Sequence, residues 1–344
     1  MNRARHALPL AALGLLLPAL AACSTGSTDD TTTATAETVA ETDAFPVTIE
    51  HAFGETTIEQ EPTRVAGVGW ADADFALSLG VVPVGATAIT WGGNDNESTD
   101  FFDEALAEVG GDEPVRYSDA DGIPVAEIAK TNPDLILATN SGITEQDYKK
   151  LSKIAPTIAY PDDPWVTSWQ DSLEMTGEAL GRTDEAAEVK AETEKVFEDT
   201  AADYPQLVGK TFIYASIVTS DLSSVGIYSP TDNRPRLLTE LGMVNAPVVE
   251  KLTKPEEFYT TVSAERSASL KSDVLLTYAM AEDDMTTFED DPLIGRIPAI
   301  ESGHAYAVLS TQESYGMSGP SPLSIPDAME KYIPNVAAAV DGQA

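Results

Sequence analysis

From Phe45 onward the chain alternates short apolar runs with segments whose apolar residues recur at helical spacing. This is the pattern of strands and helices taking turns around parallel sheets. Arg64–Val68 predicts a strand, Ala71–Leu79 a helix stopped by Gly80, and Val81–Gly85 a short strand. A helix over Val125–Lys130 breaks near Asn132-Pro133, because the residue before a proline avoids the helical region. Asp134–Ala138 then predicts a buried strand, Tyr148–Ile154 a helix and Thr157–Tyr160 a strand. In the second half, Lys210–Ala215 predicts a strand, Arg236–Leu241 a helix stopped by Gly242, and Ser263–Leu270 a helix. Asp273–Thr277 predicts a strand, and Leu293–Ile300 leads into another at Ala305–Leu309. Between the halves, Ser168–Leu180 and Thr183–Ala202 have helical spacing, interrupted at Gly181 and ended by Tyr204-Pro205. The Thr183 hydroxyl is expected to cap the second of these helices.

Three sequence parallels point to an internal duplication. Ala76–Gly80 matches Leu238–Gly242, Ile128–Leu137 matches Ser267–Leu276, and Leu151–Ile158 loosely matches Leu293–Ile300. The expected fold is therefore α/β: two Rossmann-like lobes, residues 46–165 and 204–344, joined by a helical connector at 166–203. A ligand cleft between the lobes would be lined by loops at the carboxyl ends of the strands.

The start of the chain reads differently. Arg3, Arg5 and His6 precede an apolar run, Leu8–Leu20, that is too short to span a bilayer. With Ala21 and Ala22 following, residues 1–22 read as a secretory signal peptide. Leu20-Ala21-Ala22-Cys23 resembles the bacterial lipobox, which implies cleavage before Cys23 and lipidation of the only cysteine in the chain. Residues 23–45 are rich in Thr, Ser, Asp, Glu and Ala, so they read as a lipidated tether with a reach of about 25 Å. The mature protein is then expected on the extracytoplasmic face of the cell membrane, lipid-anchored, as a monomer.

Charge narrows the partners. The chain carries 20 basic and 57 acidic residues; without Arg3 and Arg5 the balance is 18 against 57, a net charge of −39. Such a surface repels nucleic acid and anionic lipid. No Gly-x-Ser-x-Gly elbow, HExxH helix or phosphate-binding glycine loop is present, so no enzyme activity is expected. His6, His51 and His304 are the only histidines, and no cluster has metal-ligand spacing. Glu282–Asp284 with Asp290-Asp291 lacks the pattern of a calcium loop and reads as solvated.

Several pieces carry a family resemblance when taken in order: Arg64–Val68, Ala76–Gly85, Thr131–Leu137, Leu151–Pro156, Ser263–Arg266 before Asp273–Leu276, and Ser321–Ser324. From about Phe45 to Pro334 the chain resembles ferric-siderophore substrate-binding lipoproteins of ABC importers, of the class with a helical inter-lobe connection. The resemblance implies carriage of a metal complex to a permease, with no cofactor and no bond chemistry. It also implies one exposed acidic docking residue per lobe, Glu145 and Glu265. The plain alternative for both is ordinary helix-start charge. Haem and cobalamin carriers share the fold and remain an alternative, with Tyr228, Tyr278 and Met280 available to haem. An exported two-lobed enzyme and a purely structural lipoprotein are the readings from other classes.

A ferric siderophore is bulky and its iron is already saturated by the chelator's own donors. Its site needs aromatic walls and a few polar groups. Trp70, Trp91 and Trp165 each follow a predicted strand end, where a cleft wall belongs, while Trp169 falls in helical core spacing. Arg116 and Tyr117 lie in another loop of the first lobe, and Thr139 and Ser141 follow its buried strand. In the second lobe the candidates are Ser223, Ser224, Tyr228, Asn233, Arg234, Arg236, Tyr278 and Met280, with Tyr315 in a Gly/Ser-rich loop. Arginines at a helix start are unfavourable alone, so they point to an anionic partner or to pairing with Asp232 or Glu240. The resemblance favours Arg234. The stiff connector implies modest lobe closure.

Overall fold

The computed structural model describes residues 40–309 and 312–343. The signal peptide, Cys23 and the tether as far as residue 39 lie outside the described residues. The last part of the expected tether is anchored instead. Glu41 donates its backbone N–H to Gly181 O at 2.8 Å, and its carboxylate accepts from Asp184 N and from Thr183 Oγ1, both at 2.7 Å. This corrects the cap expected from Thr183. Arg182 occupies the cap position but its side chain points away to Leu79 O rather than capping the helix, and the carboxylate comes from Glu41, outside the helix.

The first lobe opens with a hairpin that the sequence reading passed over, β1 (Val47–His51) paired antiparallel with β2 (Gly54–Ile58). Next come β3 (Val65–Gly67), β4 (Gly85–Thr87), β5 (Val115–Tyr117), β6 (Leu135–Ala138) and β7 (Thr157–Ala159). They form one parallel sheet in the order β5-β4-β3-β6-β7, so the chain reverses direction around β3. Two boundaries shift from expectation. Val81–Val84 is a loop, closed by Val81 N to Ala76 O, and pairing begins only at Gly85. The helix expected at Tyr148–Ile154 spans Glu145–Leu151, because Thr144 and Asp147 form a reciprocal capping box that starts it earlier.

The connector consists of helices Trp169–Leu180 and Thr183–Asp203, with Gly181 at φ +66° between them. That left-handed conformation suits glycine and ends the first helix. The second lobe contains β8 (Thr211–Val218), β9 (Asp221–Tyr228), β10 (Val244–Asn245), β11 (Tyr259–Ser263), β12 (Val274–Ala279) and β13 (Ala305–Leu309). β10, β8, β12 and β13 run parallel, like β4, β3, β6 and β7. The antiparallel strands β9 and β11 depart from the expected grammar. The duplication has a chemical counterpart: Asp134 accepts from Thr63 N and Arg64 N at the start of β3, and Asp273 accepts from Thr211 N at the start of β8. The third sequence parallel fails, since Ile158 lies in β7 and Ile300 in the helix Pro298–Glu301. The helix expected at Ser263–Leu270 is a 3₁₀ helix, Ala264–Ser269, and the segment Leu293–Ile300 leading to β13 contains a 3₁₀ turn at Ile294–Arg296. Helix Asn233–Glu240 starts earlier than expected, capped by Asp232.

The tail does not stay with the second lobe as the 204–344 boundary implied. Helices Gln312–Ser318 and Ser324–Lys331 cross back over the first. Gln312 Oε1 accepts from Asp100 N at 2.5 Å, Tyr315 donates to Trp70 O at 2.7 Å, and Ser321 donates to Asp74 Oδ2 at 2.8 Å. One apolar core runs from Val65 and Leu137 through Trp169 and Phe197 to Phe212 and Leu276, and on to Ile325 and Tyr332. Among the described residues no helix is long and apolar enough to cross a membrane.

Candidate functional site

The loops after β3 and β6 meet on one carboxylate. Asp72, buried at the start of helix Asp72–Ser78, accepts from Gly69 N at 2.6 Å, Thr139 Oγ1 at 2.6 Å and Thr139 N at 3.1 Å. Burial raises its pKa against the pull of these donors. A β-carbon on Gly69 would lie 2.5 Å from Asn140 O, so only glycine lets the two loops close up. Trp70 and Asn140 are fixed as a result. Trp70 stacks on Tyr315 with centroids 5.9 Å apart and meets Trp165 edge-on at 6.3 Å. Trp165 holds φ +65°, a strained conformation for a bulky residue and one found often at ligand sites. Its indole lies where Gly142 has no side chain, since a β-carbon there would be 2.5 Å from Trp165 Nε1.

The opposite wall centres on Arg234, in the first turn after β9. Its Nη1 donates to both oxygens of Asp232, at 2.8 and 3.0 Å, and its Nε to Tyr278 Oη at 2.5 Å and Ser318 Oγ at 3.2 Å. The guanidinium lies 4.2 Å over the Tyr228 ring. Burial works against the charged guanidinium, but Asp232 and the phenols of Tyr278 and Tyr228 outweigh it and hold its pKa above the ordinary value. Burial likewise pushes the Asp232 carboxyl upward, opposed by Arg234 and its backbone N–H. Tyr278 also meets Trp91 of the first lobe edge-on at 5.4 Å, a contact across the cleft.

Between the walls lies a cavity of about 170 Å³ lined by Trp70, Asn140 and Trp165 on one side and Asp232, Arg234 and Phe258 on the other. Ser318 and Gly319 of the tail also line it. A neighbouring space of about 30 Å³ is lined by Trp70, Trp91, Asp119 and Tyr315. A larger groove of about 960 Å³, between β1 and the connector, has no aromatic lining and shares no lining residue with the two cleft spaces. The aromatic cleft is therefore the candidate site.

The structure brings together Trp70, Trp165 and Arg234, with Tyr228 and Tyr278 holding the guanidinium and Trp91 in the adjoining space. Arg116 is turned into its own lobe, donating to Ser98 Oγ at 2.5 Å and Thr87 O at 3.3 Å and covering Phe102. Met280 is 66% exposed and lines neither cavity. Thr139 and Ser141 are buried and spend their hydroxyls on Asp72 and Ala138 O. Tyr117 is buried and donates to Gly67 O. Ser223 binds Asp221, Ser224 lies on β9 outside both cavities, Asn233 is buried, and Arg236 donates to Val166 O at 2.6 Å. Tyr315 stands in a helix rather than a loop, 1% exposed, between Trp70 and Phe101. Trp169 is core, stacked on Phe197 at 6.2 Å. Glu145 and Glu265 are exposed, Glu145 in an ion pair with Lys149 at 2.5 Å.

The sequence reading missed Asn140, Asp232, Phe258 and Ser318 as lining residues. Asn140 stood between two named candidates, and its Oδ1 is buried without a hydrogen-bond partner among the described residues. His51 binds Thr56, and His304 contacts Ala339 O. The acidic run is not wholly solvated: Asp284 is buried and accepts from Met280 N at 2.6 Å and Ala281 N at 3.1 Å.

Residues 65–310 match the periplasmic binding protein family. The chain belongs to that family. Among solved structures, PiaA of Streptococcus pneumoniae TIGR4 in complex with ferrichrome is similar, with 33% identity and a TM-score of 0.82. The similarity covers 86% of this chain and 99% of PiaA. The iron(3+)-hydroxamate-binding protein FhuD of Bacillus subtilis is 26% identical over 329 residues, 92% of this chain and 93% of FhuD. The ferric enterobactin-binding periplasmic protein FepB of Escherichia coli O6:H1 is 26% identical over 273 residues, 77% of this chain and 84% of FepB.

Proposed function

We propose that this protein captures a ferric siderophore between its lobes and delivers it to an ABC permease for iron uptake, acting as a carrier without bond chemistry. The observation that carries this reading is the inter-lobe cavity walled by Trp70, Trp165 and Phe258 around one guanidinium. Apolar and aromatic walls with a few placed polar groups suit a bulky chelate whose metal is already coordinated. Relatives named for ferric enterobactin and iron(3+)-hydroxamate support the substrate class. At about 170 Å³ the cavity is smaller than sites for drug-sized ligands, about 300–1,000 Å³. Entry of a ferric chelate must therefore part the Trp91–Tyr278 contact.

The same proposal places the mature protein on the extracytoplasmic face of the membrane as a monomer, held through lipidated Cys23. It assigns Glu145 and Glu265 to docking on basic permease residues, where separated carboxylates fix orientation and speed encounter. The test is tryptophan fluorescence of the full chain in detergent, titrated with ferric siderophores, haem and cobalamin. Saturable quenching by a ferric chelate, absent for the iron-free form and weakened in Trp70→Ala, is expected. Quenching by haem alone would overturn the assignment.

A further inference from the structure

The cleft has one cation, and its charge is already spent. Among the described residues Arg234 is the only basic one lining the main cavity, and Asp232 lies against it at 2.8 Å, the two side chains 13% and 3% exposed. Its Nε is taken by Tyr278 and Ser318, and the Tyr228 ring covers the guanidinium face. The lining is thus neutral overall. The adjoining space adds Asp119 and no basic residue. Asp72 and Asp74 are buried in the helix beneath the Trp70 loop, and Arg116 lies close enough to Asp74 to act on its charge. The chain as a whole carries a net charge of −37. An anion entering this cleft gives up its hydration and gains no free positive partner. Burying a charge unpaired is costly, and bringing like charges together adds to the cost.

Ferric chelates differ in net charge. Three monoanionic hydroxamates cancel the ferric ion, a free amine on the chelator adds a positive charge, and three dianionic catecholates leave a trianion. Resting on the ferric-siderophore reading above, we propose that this cleft selects by charge. It accepts neutral or cationic chelates and rejects anionic ones, and Asp232 sets the preference by neutralising Arg234. The buried, unpartnered Oδ1 of Asn140 offers an acceptor to such a ligand, and the tryptophans offer apolar surface.

The experiment titrates the full chain in detergent with three probes: ferrichrome, a neutral trishydroxamate; ferrioxamine B, a trishydroxamate bearing an amine; and ferric enterobactin, a tris-catecholate. The first two are expected to bind, with ferric enterobactin at least about 100-fold weaker. Asp232→Asn keeps a side chain suited to the helix cap and frees the guanidinium. It is expected to narrow the gap by about 10-fold, chiefly by strengthening enterobactin binding. Salt series on the unmodified protein give a check that needs no variant: ferrichrome affinity stays flat, and ferrioxamine B weakens as salt rises. Ferric enterobactin binding as tightly as ferrichrome overturns the inference and leaves the ferric-siderophore reading standing. An unchanged gap in a folded Asp232→Asn protein does the same. Quenching by none of the three overturns this inference; the ferric-siderophore reading falls with it only when the wider panel of ferric chelates is silent as well.

Discussion

Replacing Asp74 with Asn should change how stability depends on pH. Asp74 is 4% exposed and accepts from Ser321, so it ties the tail to the first lobe. Burial raises its pKa from the ordinary 3.8 to about 7, with Ser321 and Arg116 pulling back and Asp72 adding to the rise. Between these values the folded protein holds a proton that the unfolded chain has released. Stability therefore falls as pH rises: the contribution is whole below about pH 4 and is lost as pH passes through about 7. The full rise is worth about 4 kcal/mol, and somewhat under half is already lost by pH 5, where an unfolded Asp is ionised. About 3 kcal/mol remains to be lost between pH 5 and 8. An Asn at this site still offers an oxygen to Ser321 and has no proton to lose.

The assay is urea unfolding of Asp74→Asn and the unmodified protein at pH 5 and pH 8, each referred to the other at the same pH. All other titrating groups, including the 57 acidic side chains less this one, affect both proteins nearly alike. The variant should gain about 3 kcal/mol relative to the unmodified protein across that interval. The pull of Arg116 is already contained in the raised Asp74 pKa, so it does not reduce this difference. A difference that stays constant with pH would show that Asp74 is ionised in the folded protein throughout, and would refute the reasoning.

Three other expectations follow from particular contacts. Glu41→Ala removes the carboxylate that caps helix Thr183–Asp203 and should cost about 1 kcal/mol in thermal unfolding. The backbone N–H of Asp184 holds the Glu41 pKa below its ordinary value, so this contribution is present at neutral pH and fades as pH drops through that lowered value. Gly142→Ala puts a methyl group against Trp165 and should weaken chelate quenching by about 10-fold while circular dichroism stays unchanged; full affinity would remove Trp165 from the site. Glu145→Arg with Glu265→Arg should abolish iron uptake by cells while leaving chelate affinity in solution intact, and normal uptake would return both residues to ordinary surface charge.

The parallel layers were legible in the sequence because each buried strand is a short, nearly continuous apolar run, such as Leu135–Ala138, with every residue buried. The β1–β2 hairpin carries a different signal. Ile49, His51, Thr56 and Ile58 face inward between exposed neighbours, and an inward His and Thr disguise that alternation. β9 and β11 escaped for a related reason: their ladder pairs Ser224 with Ser263 and Gly226 with Thr261, residues that read as loop. The site was legible where position alone decided it, as for Trp70 and Trp165 just beyond strand ends. It was not legible where partners decide. Arg116 and Arg234 look alike in sequence; Ser98 turns one inward, while Asp232, Tyr278 and Ser318 hold the other at the cavity.

The tail accounts for how such a cleft can move. Tyr315 is held between Trp70 and Phe101, and Ser321 is bound to Asp74, so residues 312–331 are anchored on the first lobe despite following the second in sequence. Ser318 on that tail accepts from Arg234 of the second lobe at 3.2 Å. The Trp91–Tyr278 edge contact, the bonds of Ser318 to Arg234 and Tyr278, and the packing of helix Gln312–Ser318 on helix Asn233–Glu240 join this wall to the second lobe. The core running through Trp169 and Phe197 is continuous from one lobe to the other. An edge-on aromatic pair is worth about 0.5–1.5 kcal/mol and a net hydrogen bond about as much. Contacts of that size are small enough for a bound ligand to replace.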